Sequence, residues 1–359
     1  TGGTTGMPKG VLWRQTEILR AALLPPRTEP TVEAIVERAR RGGHVRSLPT
    51  PPFMHGAAHW AAFTIWHAGG TVVVQSNPHH FDPHDVLATA ERERATAMTI
   101  VGDAFARPLL DAMAERDYDL GSLKTISSGG AILTAATKAQ LLERLPGVRI
   151  VDVLGSSESG HQATQVLKSG QKASTGDFEL EQANVVLRED LSGLVEPGSG
   201  ETGWLARSGP VPLGYYGDPE KTAATFPEID GVRYAVPGDR AVAEADGRLR
   251  LLGRDSVTIN SGGEKIFAEE VEHALKHHPD VFDAVVVGTP HERFGQQVTA
   301  VVRLREGAEP DEEALRRACE AHLARYKLPR RFVFVDEVVR APSGKADYRW
   351  ARDTALASG

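Results

Sequence analysis

The sequence predicts an α/β protein: a large α/β domain with a parallel sheet flanked by helices, a β-rich subdomain attached to it, and a small α+β C-terminal domain. Three observations lead there. From Val11 to about Ile150, β-branched apolar bursts alternate with helical runs; from about Gly176 to Leu252, short strands are separated by glycine turns; after Gly253-Arg254-Asp255, helix and strand patterns mix again. Alternation of the first kind builds βαβ units, whose crossover helices cover a mostly parallel sheet. The divisions are placed at residues 1–175, 176–254 and 255–359.

In the first region, 71–75 (TVVVQ) has the β-branched run of a buried strand, because such side chains pack well on a pleated surface. Asp82-Pro83 ahead of 86–94 (VLATAERER) marks a helix start: the carboxylate accepts from free N–H groups and proline suits the first turn. A strand at 98–101 (MTIV) and a helical run at 107–114 continue the alternation. In the second region, Gly198, Gly200 and Gly203 precede Trp204-Leu205, and Asp246-Gly247 precedes 248–251 (RLRL); turns of this kind join antiparallel strands. The third region reads as a helix over 268–276, strands at 283–288 and 298–304, a helix from Asp311 and a strand at 332–335. That is a compact unit of ordinary domain size.

The chain has 359 residues, 41% hydrophobic and 25% charged, a globular composition with length enough for two or more domains. Its 48 acidic and 41 basic residues give a net charge of −7 without a dense basic run, so the electrostatic footprint of a nucleic-acid binder is missing. The most apolar stretch, 59–74 (HWAAFTIWHAGGTVVV), is interrupted by His67, Gly69 and Gly70 and is too short to span a bilayer. The single cysteine, Cys319, lies on the apolar face of the helical run 311–326; a lone thiol suits a reducing cytoplasm. The chain begins with Thr1 inside a glycine-rich loop rather than with Met, so the lack of a targeting segment carries little weight.

That loop, residues 1–10 (TGGTTGMPKG), suits phosphate. Glycines let backbone N–H groups converge on an anion, threonine hydroxyls add donors and Lys9 adds a point charge. A Walker loop needs Gly-Lys-Ser/Thr opening a helix; here Pro8 separates Gly6 from Lys9 and Gly10 follows, which disfavours a P-loop NTPase. In residue order the decamer resembles the phosphate loop of the adenylate-forming enzymes, the superfamily of acyl-CoA synthetases, aryl-CoA ligases, luciferases and peptide-synthetase adenylation domains. The resemblance implies that Thr1, Gly3, Thr4, Thr5, Gly6 and Lys9 hold the triphosphate of ATP.

The resemblance extends along the chain in the family's order. Ser127-Ser128-Gly129-Gly130-Ala131-Ile132 is similar to the turn lying against adenine, which implies Gly129 and Gly130 as nucleotide contacts. Asp152-Val153-Leu154-Gly155-Ser156-Ser157-Glu158 is similar to the next motif and implies Asp152 beside the nucleotide, Ser157 on phosphate and Glu158 on Mg²⁺, a hard cation that binds carboxylate and phosphate oxygens. Leu154 stands where the family usually has an aromatic residue on adenine, and Ile132 where it often has Pro; stacking is then weaker or supplied elsewhere. Tyr234-Ala235-Val236-Pro237-Gly238-Asp239 resembles the ribose motif, with Asp239 accepting from both hydroxyls, and Arg254 supplies a guanidinium for ribose and phosphate oxygens.

The stretch 253–266 resembles the hinge about which the family's C-terminal domain, mobile for this reason, swings between adenylating and thioester-forming arrangements. Ser256 occupies the usual pivot position with Asp255 before it, so the pivot residue stays open; Gly262 and Gly263 would let the pantetheine of coenzyme A approach the backbone. Ala341-Pro342-Ser343-Gly344-Lys345 resembles the terminal lysine motif, which places an ammonium where charge develops on the transferred phosphoryl group. His55, in Pro52-Phe53-Met54-His55-Gly56, matches the family's Phe-His motif at the acyl and CoA entrance; gating or orienting the substrate stands even with a satisfied structural role. The run Pro78-His79-His80-Phe81-Asp82-Pro83-His84-Asp85 is histidine-rich, but adjacent residues at a helix start point apart. His273, His277 and His278 read as the solvated end of a helix before Pro279.

The resemblance thus implies an acyl-CoA synthetase using ATP, Mg²⁺ and coenzyme A, with Lys345, His55 and Glu158 in the catalytic roles. The loops GGTTGMPKGVLWRQ and INSGGEKIF are most similar to the bacterial fatty-acid and steroid-side-chain type, which implies a bulky hydrophobic acid. Trp60, Phe63 and Trp66, at helical spacing, are candidates for its pocket or plain core. The expected partners are the carboxylic acid, ATP and CoA, with a homodimer allowed and no nucleic acid or integral membrane segment. The alternatives are another adenylate-forming enzyme, such as an aryl-CoA ligase or a carrier-protein acylating enzyme, and a non-catalytic nucleotide-binding fragment. The last arises because family members carry a substantial portion before the phosphate loop that completes the large domain's sheet.

Overall fold

A computed structural model describes residues 9–25, 27–78, 80–180 and 183–358. Thr1, Gly3, Thr4, Thr5 and Gly6 of the expected phosphate loop, and His79, lie outside the described residues.

The strands Thr71–Val72, Arg46–Pro49, Ala97–Ile100, Thr125–Gly129 and Arg149–Ser156 lie side by side and parallel. Parallel neighbours need crossovers, and the helices Gly56–His67, Pro83–Arg92, Gly102–Glu115 and Ala135–Arg144 supply them. The expected start at Asp82-Pro83 is present: Asp82 Oδ1 accepts from the His84 N–H at 2.9 Å with Pro83 in the first turn, a cap worth about 1 kcal/mol. Thr134 caps the last of these helices by accepting from the Thr137 N–H. Strand residues Leu48, Met98, Ile100, Ile126 and Ile150 bury against helix residues Val86, Leu87, Phe105, Leu109 and Leu141, each contributing roughly 1.5–3 kcal/mol of transfer free energy.

Beyond Arg149–Ser156 the same sheet turns antiparallel. Gly160–Lys168, Asp177–Leu180, Arg248–Arg254, Asp239–Ala243, Thr202–Arg207 and Asn184–Leu187 follow in that spatial order and bring it to 11 strands. The short connection from Ser156 to Gly160 causes the change of sense, since a tight turn can join only antiparallel neighbours. The parallel part is therefore one half of a mixed sheet.

After the short 3₁₀ turn Asp255–Val257, a second sheet of five strands forms from Glu264–Ile266, Ile259–Ser261, Gly295–Leu304, Val281–His291 and Arg331–Phe334. Gly262 and Gly263, at φ +62° and +90°, join its first hairpin; two consecutive positive φ values make a turn that matches strand twist and that L side chains resist. Alternation along Val281–His291 sends Ala284 and Val286 towards the helices Ala268–Leu275 and Glu312–Glu320, and Val285 and Val287 towards Ala351 and Ala355 of the helix Tyr348–Ala357. Cys319 is fully buried in the first of these cores, as its spacing predicts. The helix from Asp311 ends at Glu320, short of the predicted run.

Two expectations are corrected. Trp60, Phe63 and Trp66 do sit on one helix, but its buried face is Ala58 and Ala62; Phe63 and Trp66, 41% and 52% exposed, are not core, while Trp60 is half-buried. His273 does not end a solvated helix: its Nε2 pairs with the Thr175 hydroxyl at 2.9 Å, and His277 stacks on His322 with ring centroids 4.2 Å apart. Among the described residues no helix is long and apolar enough to cross a membrane.

Candidate active site

The sheet brings together residues far apart in sequence. Asp239 and Arg254 are cross-strand partners, and Arg254 Nε meets Asp239 Oδ1 at 3.2 Å. Asp239 is buried, and the pairing raises the Arg254 pKa further. The strand Thr125–Gly129 delivers Gly130, and Arg149–Ser156 delivers Asp152 and Leu154, to the same cleft of about 180 Å³. Lys345, Glu269 and Tyr348 close it from the C-terminal domain. Phe178 and Leu251 also line it, which supplies apolar surface where Leu154 replaces an aromatic ring.

Lys345 forms no ion pair among the described residues. Burial and then the neighbouring Arg254 lower its pKa, against the opposing pull of Glu158 and Asp239. Its ammonium is therefore held among the charges that would surround a nucleotide. His55 caps the helix Gly56–His67, its Nδ1 accepting from the Ala57 N–H at 3.3 Å. A Cβ at Gly130 would stand 3.2 Å from its Cε1. Burial first, and then Lys345, press the His55 pKa down to about 4, so the ring is neutral near pH 7.

Glu158 is almost buried, and its Oε1 accepts from the Tyr215 hydroxyl at 2.8 Å. Burial, and then the Glu158 charge, raise the Tyr215 pKa, which keeps the phenol a donor. Tyr215 belongs to a short strand paired with Val11–Leu12, at the exit of the phosphate loop. Tyr216 N donates to Gly10 O at 2.8 Å, Lys9 pairs with Asp218, and Trp13 Nε1 donates to Ser157 O at 2.9 Å. Lys9, Ser157 and Glu158 thus share one neighbourhood. Among the described residues no three His, Cys, Asp or Glu side chains form a metal cage, and a single carboxylate fits a Mg²⁺ whose other ligands are phosphate oxygens and water.

Asp152 has a second occupation. It pairs at 2.6 Å with Lys138, whose side chain is fully buried and also donates to Ser174 O at 2.9 Å. Burial raises the Asp152 pKa while Lys138 opposes it. Gly129 ends its strand against Val153 O. Gly262 and Gly263 form the hairpin turn of the small sheet and do not line the cleft. A larger cleft of about 520 Å³ opens beside it, lined by Thr50, Phe53, Phe105, Arg107, Asp283 and Arg340.

Residues 1–216 match the family model described as AMP-binding enzyme, and residues 270–345 match the AMP-binding enzyme C-terminal domain. The chain belongs to the AMP-binding enzyme family. It is 51% identical over 361 residues to the medium-chain acyl-CoA ligase Mig of Mycobacterium avium, covering 99% of this chain and 66% of that protein. It is 43% identical over 366 residues to the 3-oxocholest-4-en-26-oate–CoA ligase of Rhodococcus rhodochrous, covering 98% of this chain and 65% of that protein. The chain therefore spans about two thirds of the length of the curated relatives it matches. Among solved structures, the amide bond synthetase McbA from Marinactinospora thermotolerans superposes with a TM-score of 0.76 at 30% identity, over 96% of this chain and 66% of that one. ATP-bound MatB from Rhodopseudomonas palustris gives a TM-score of 0.77 at 25% identity, over 98% of this chain and 66% of that one.

Around the cleft this AMP-binding enzyme also places groups that its sequence did not single out. Tyr215 follows a Pro-Val-Pro-Leu-Gly stretch with no pattern of its own, and Lys138 sits in a helix like any surface lysine. Glu269, in the helix Ala268–Leu275, packs against Arg254: its Oε1 accepts from the Arg254 backbone N–H at 3.2 Å, and its Oε2 is buried without a partner. Burial, and then Glu272, raise its pKa to about 8. A carboxyl whose native pKa lies above its unfolded value stabilises fully below the unfolded pKa and loses that contribution as pH rises through the native one. Glu269→Gln stays neutral, so its melting temperature should gain on wild type progressively between about pH 5 and pH 8. Parallel melting curves across that range would show that Glu269 does not titrate there.

Proposed function

We propose that this AMP-binding enzyme is an acyl-CoA synthetase: a carboxylate attacks the α-phosphorus of ATP to give an acyl-adenylate and pyrophosphate, and the thiol of coenzyme A then displaces AMP to give the thioester. The observation that carries this reading is Lys345 standing in one cleft with Asp239, Arg254 and Gly130. Asp239 and Arg254 hold the ribose, and Lys345 faces the charge that spreads over the phosphoryl oxygens as two anions meet. Glu158, steadied by Tyr215, would hold Mg²⁺, which when bound neutralises triphosphate charge. Neutral His55 can meet the acid without an ion pair that would bind it too tightly to react. Gly262 and Gly263 would receive the pantetheine arm after the C-terminal domain turns about residues 255–257.

A hydrophobic acid of the fatty or steroid-side-chain kind is the substrate class, supported by the names of the relatives in Mycobacterium avium and Rhodococcus rhodochrous. A cytoplasmic location is supported by the single, buried Cys319 thiol. The test is pyrophosphate release with Mg²⁺ and ATP across acids from acetate and benzoate through long-chain fatty acids to cholesterol-derived acids, with and without CoA. Release that depends on a bulky aliphatic or steroid acid, with a CoA thioester as product, is expected. Preference for benzoate would favour an aryl-CoA ligase, adenylate without thioester a carrier-protein acylating enzyme, and ATP binding without release a non-catalytic nucleotide binder.

A further inference from the structure

Arg107 ties the two domains together. It projects from the helix Gly102–Glu115 of the large domain and is 7% exposed. Its Nη1 donates to Val281 O at 2.8 Å and Phe282 O at 2.7 Å, and its Nη2 to Lys276 O at 2.9 Å. All three acceptors are backbone carbonyls of the C-terminal domain: one just beyond the helix Ala268–Leu275, two at the start of the strand Val281–His291. A guanidinium offers five donors in one plane and keeps its charge when buried. Three acceptors on a separate domain therefore fix both the position and the orientation of that domain.

The anchorage continues towards the site. Next to Phe282, Asp283 accepts from Arg340 through two bonds of 2.7 Å and pairs with Lys276 at 3.1 Å. Arg340 also donates to Gly344 O at 3.0 Å, one residue before Lys345. Gly344, at φ +79°, lies so near the helix of Arg107 that a Cβ there would meet the Phe105 ring at 2.8 Å. On the large-domain side, Asp103 Oδ2 stands 3.6 Å from Arg107 Nε, buried and without a hydrogen bond. It is a counter-charge on the same helix, so the guanidinium keeps a partner if the carbonyls leave.

We propose that Arg107 is a positioning residue, a latch whose bonds to three carbonyls hold the C-terminal domain in the arrangement that carries Lys345 into the nucleotide cleft. The latch rests on the adenylate-forming reading above. It biases the enzyme towards the first half-reaction and must open for any arrangement that withdraws Lys345.

The test compares Arg107→Met and Arg107→Lys with wild type, each as the full chain and also in a Lys345→Ala background. Three quantities are measured: acid-dependent pyrophosphate release, thioester formation from supplied acyl-adenylate and CoA, and the radius of gyration by small-angle scattering without substrate. Bonds from a charged donor are strong enough that Arg107→Met should slow pyrophosphate release by about tenfold or more, spare the second step and enlarge the scattering radius. Arg107→Lys, which keeps the charge and one donor group, should fall between. In the Lys345→Ala background Arg107→Met should add no further loss of release. Equal loss of both half-reactions, or an unchanged radius in Arg107→Met, would overturn the latch. If wild type released no pyrophosphate with any acid, the synthetase reading would fail, and the scattering comparison would still decide whether Arg107 holds the domains together.

Discussion

Lys345→Ala is expected to slow acyl-adenylate formation by about a hundredfold or more while leaving a measurable residual rate and sparing thioester formation from supplied acyl-adenylate. The reason is positional and electrostatic. Lys345 is half-buried, makes no ion pair among the described residues, and feels Arg254 on one side and Glu158 and Asp239 on the other. An ammonium placed where phosphoryl charge develops, in a site poor in water, is worth roughly a hundred- to a thousandfold in rate. Once the adenylate exists that charge has already left with pyrophosphate, so the second step does not draw on it. Single-turnover measurements of the two steps separate the cases, and equal loss in both would sink the assignment of Lys345 to the first.

Asp239→Ala should weaken ATP binding with little change in fold. Two hydrogen bonds from ribose hydroxyls to a charged acceptor are worth roughly 3–6 kcal/mol together, about a hundredfold to ten-thousandfold rise in Kd. The structure adds a second effect, because Asp239 also aligns Arg254 at 3.2 Å across the sheet. Asp239→Asn keeps the shape without the charge and should give an intermediate loss. Calorimetric titration with ATP checks both variants, and unchanged affinity in Asp239→Ala would refute the ribose assignment.

Much of the fold and site is legible in the sequence because it is written in local chemistry. Asp82-Pro83 starts its helix, the run at 98–101 becomes the buried strand Ala97–Ile100, and the pair Gly262-Gly263 makes a turn, whereas of 71–75 only Thr71–Val72 is strand, at the sheet edge with Val74 exposed. The motifs around Gly130, Asp152, Asp239, Arg254 and Lys345 are short strings whose residue types suit nucleotide chemistry, and the fold gathers all five into one cleft. Legibility stops where a partner is distant and carries no signature. The carbonyls of Lys276, Val281 and Phe282 that hold Arg107 are backbone groups present in every residue. Lys138 becomes the counter-ion of Asp152 only because the helix Ala135–Arg144 crosses behind the strand Arg149–Ser156. His273, by its composition, belonged to water; the packing of one domain on the other gave it Thr175 instead.

The sequence by itself determined the order of helices and strands, the glycine turns and the residue types of the nucleotide cleft, because backbone preference and the chemistry of a motif act over a few positions. The tertiary structure alone decided that the sheet changes from parallel to antiparallel after Ser156, that Phe63 and Trp66 face outward, that Tyr215 steadies Glu158, and that Lys345 stands within reach of Arg254 and Asp239. Those outcomes depend on which surfaces are buried against each other and which charges share a low-dielectric cleft. Such couplings act through space, between residues that can lie a hundred or more positions apart in this chain.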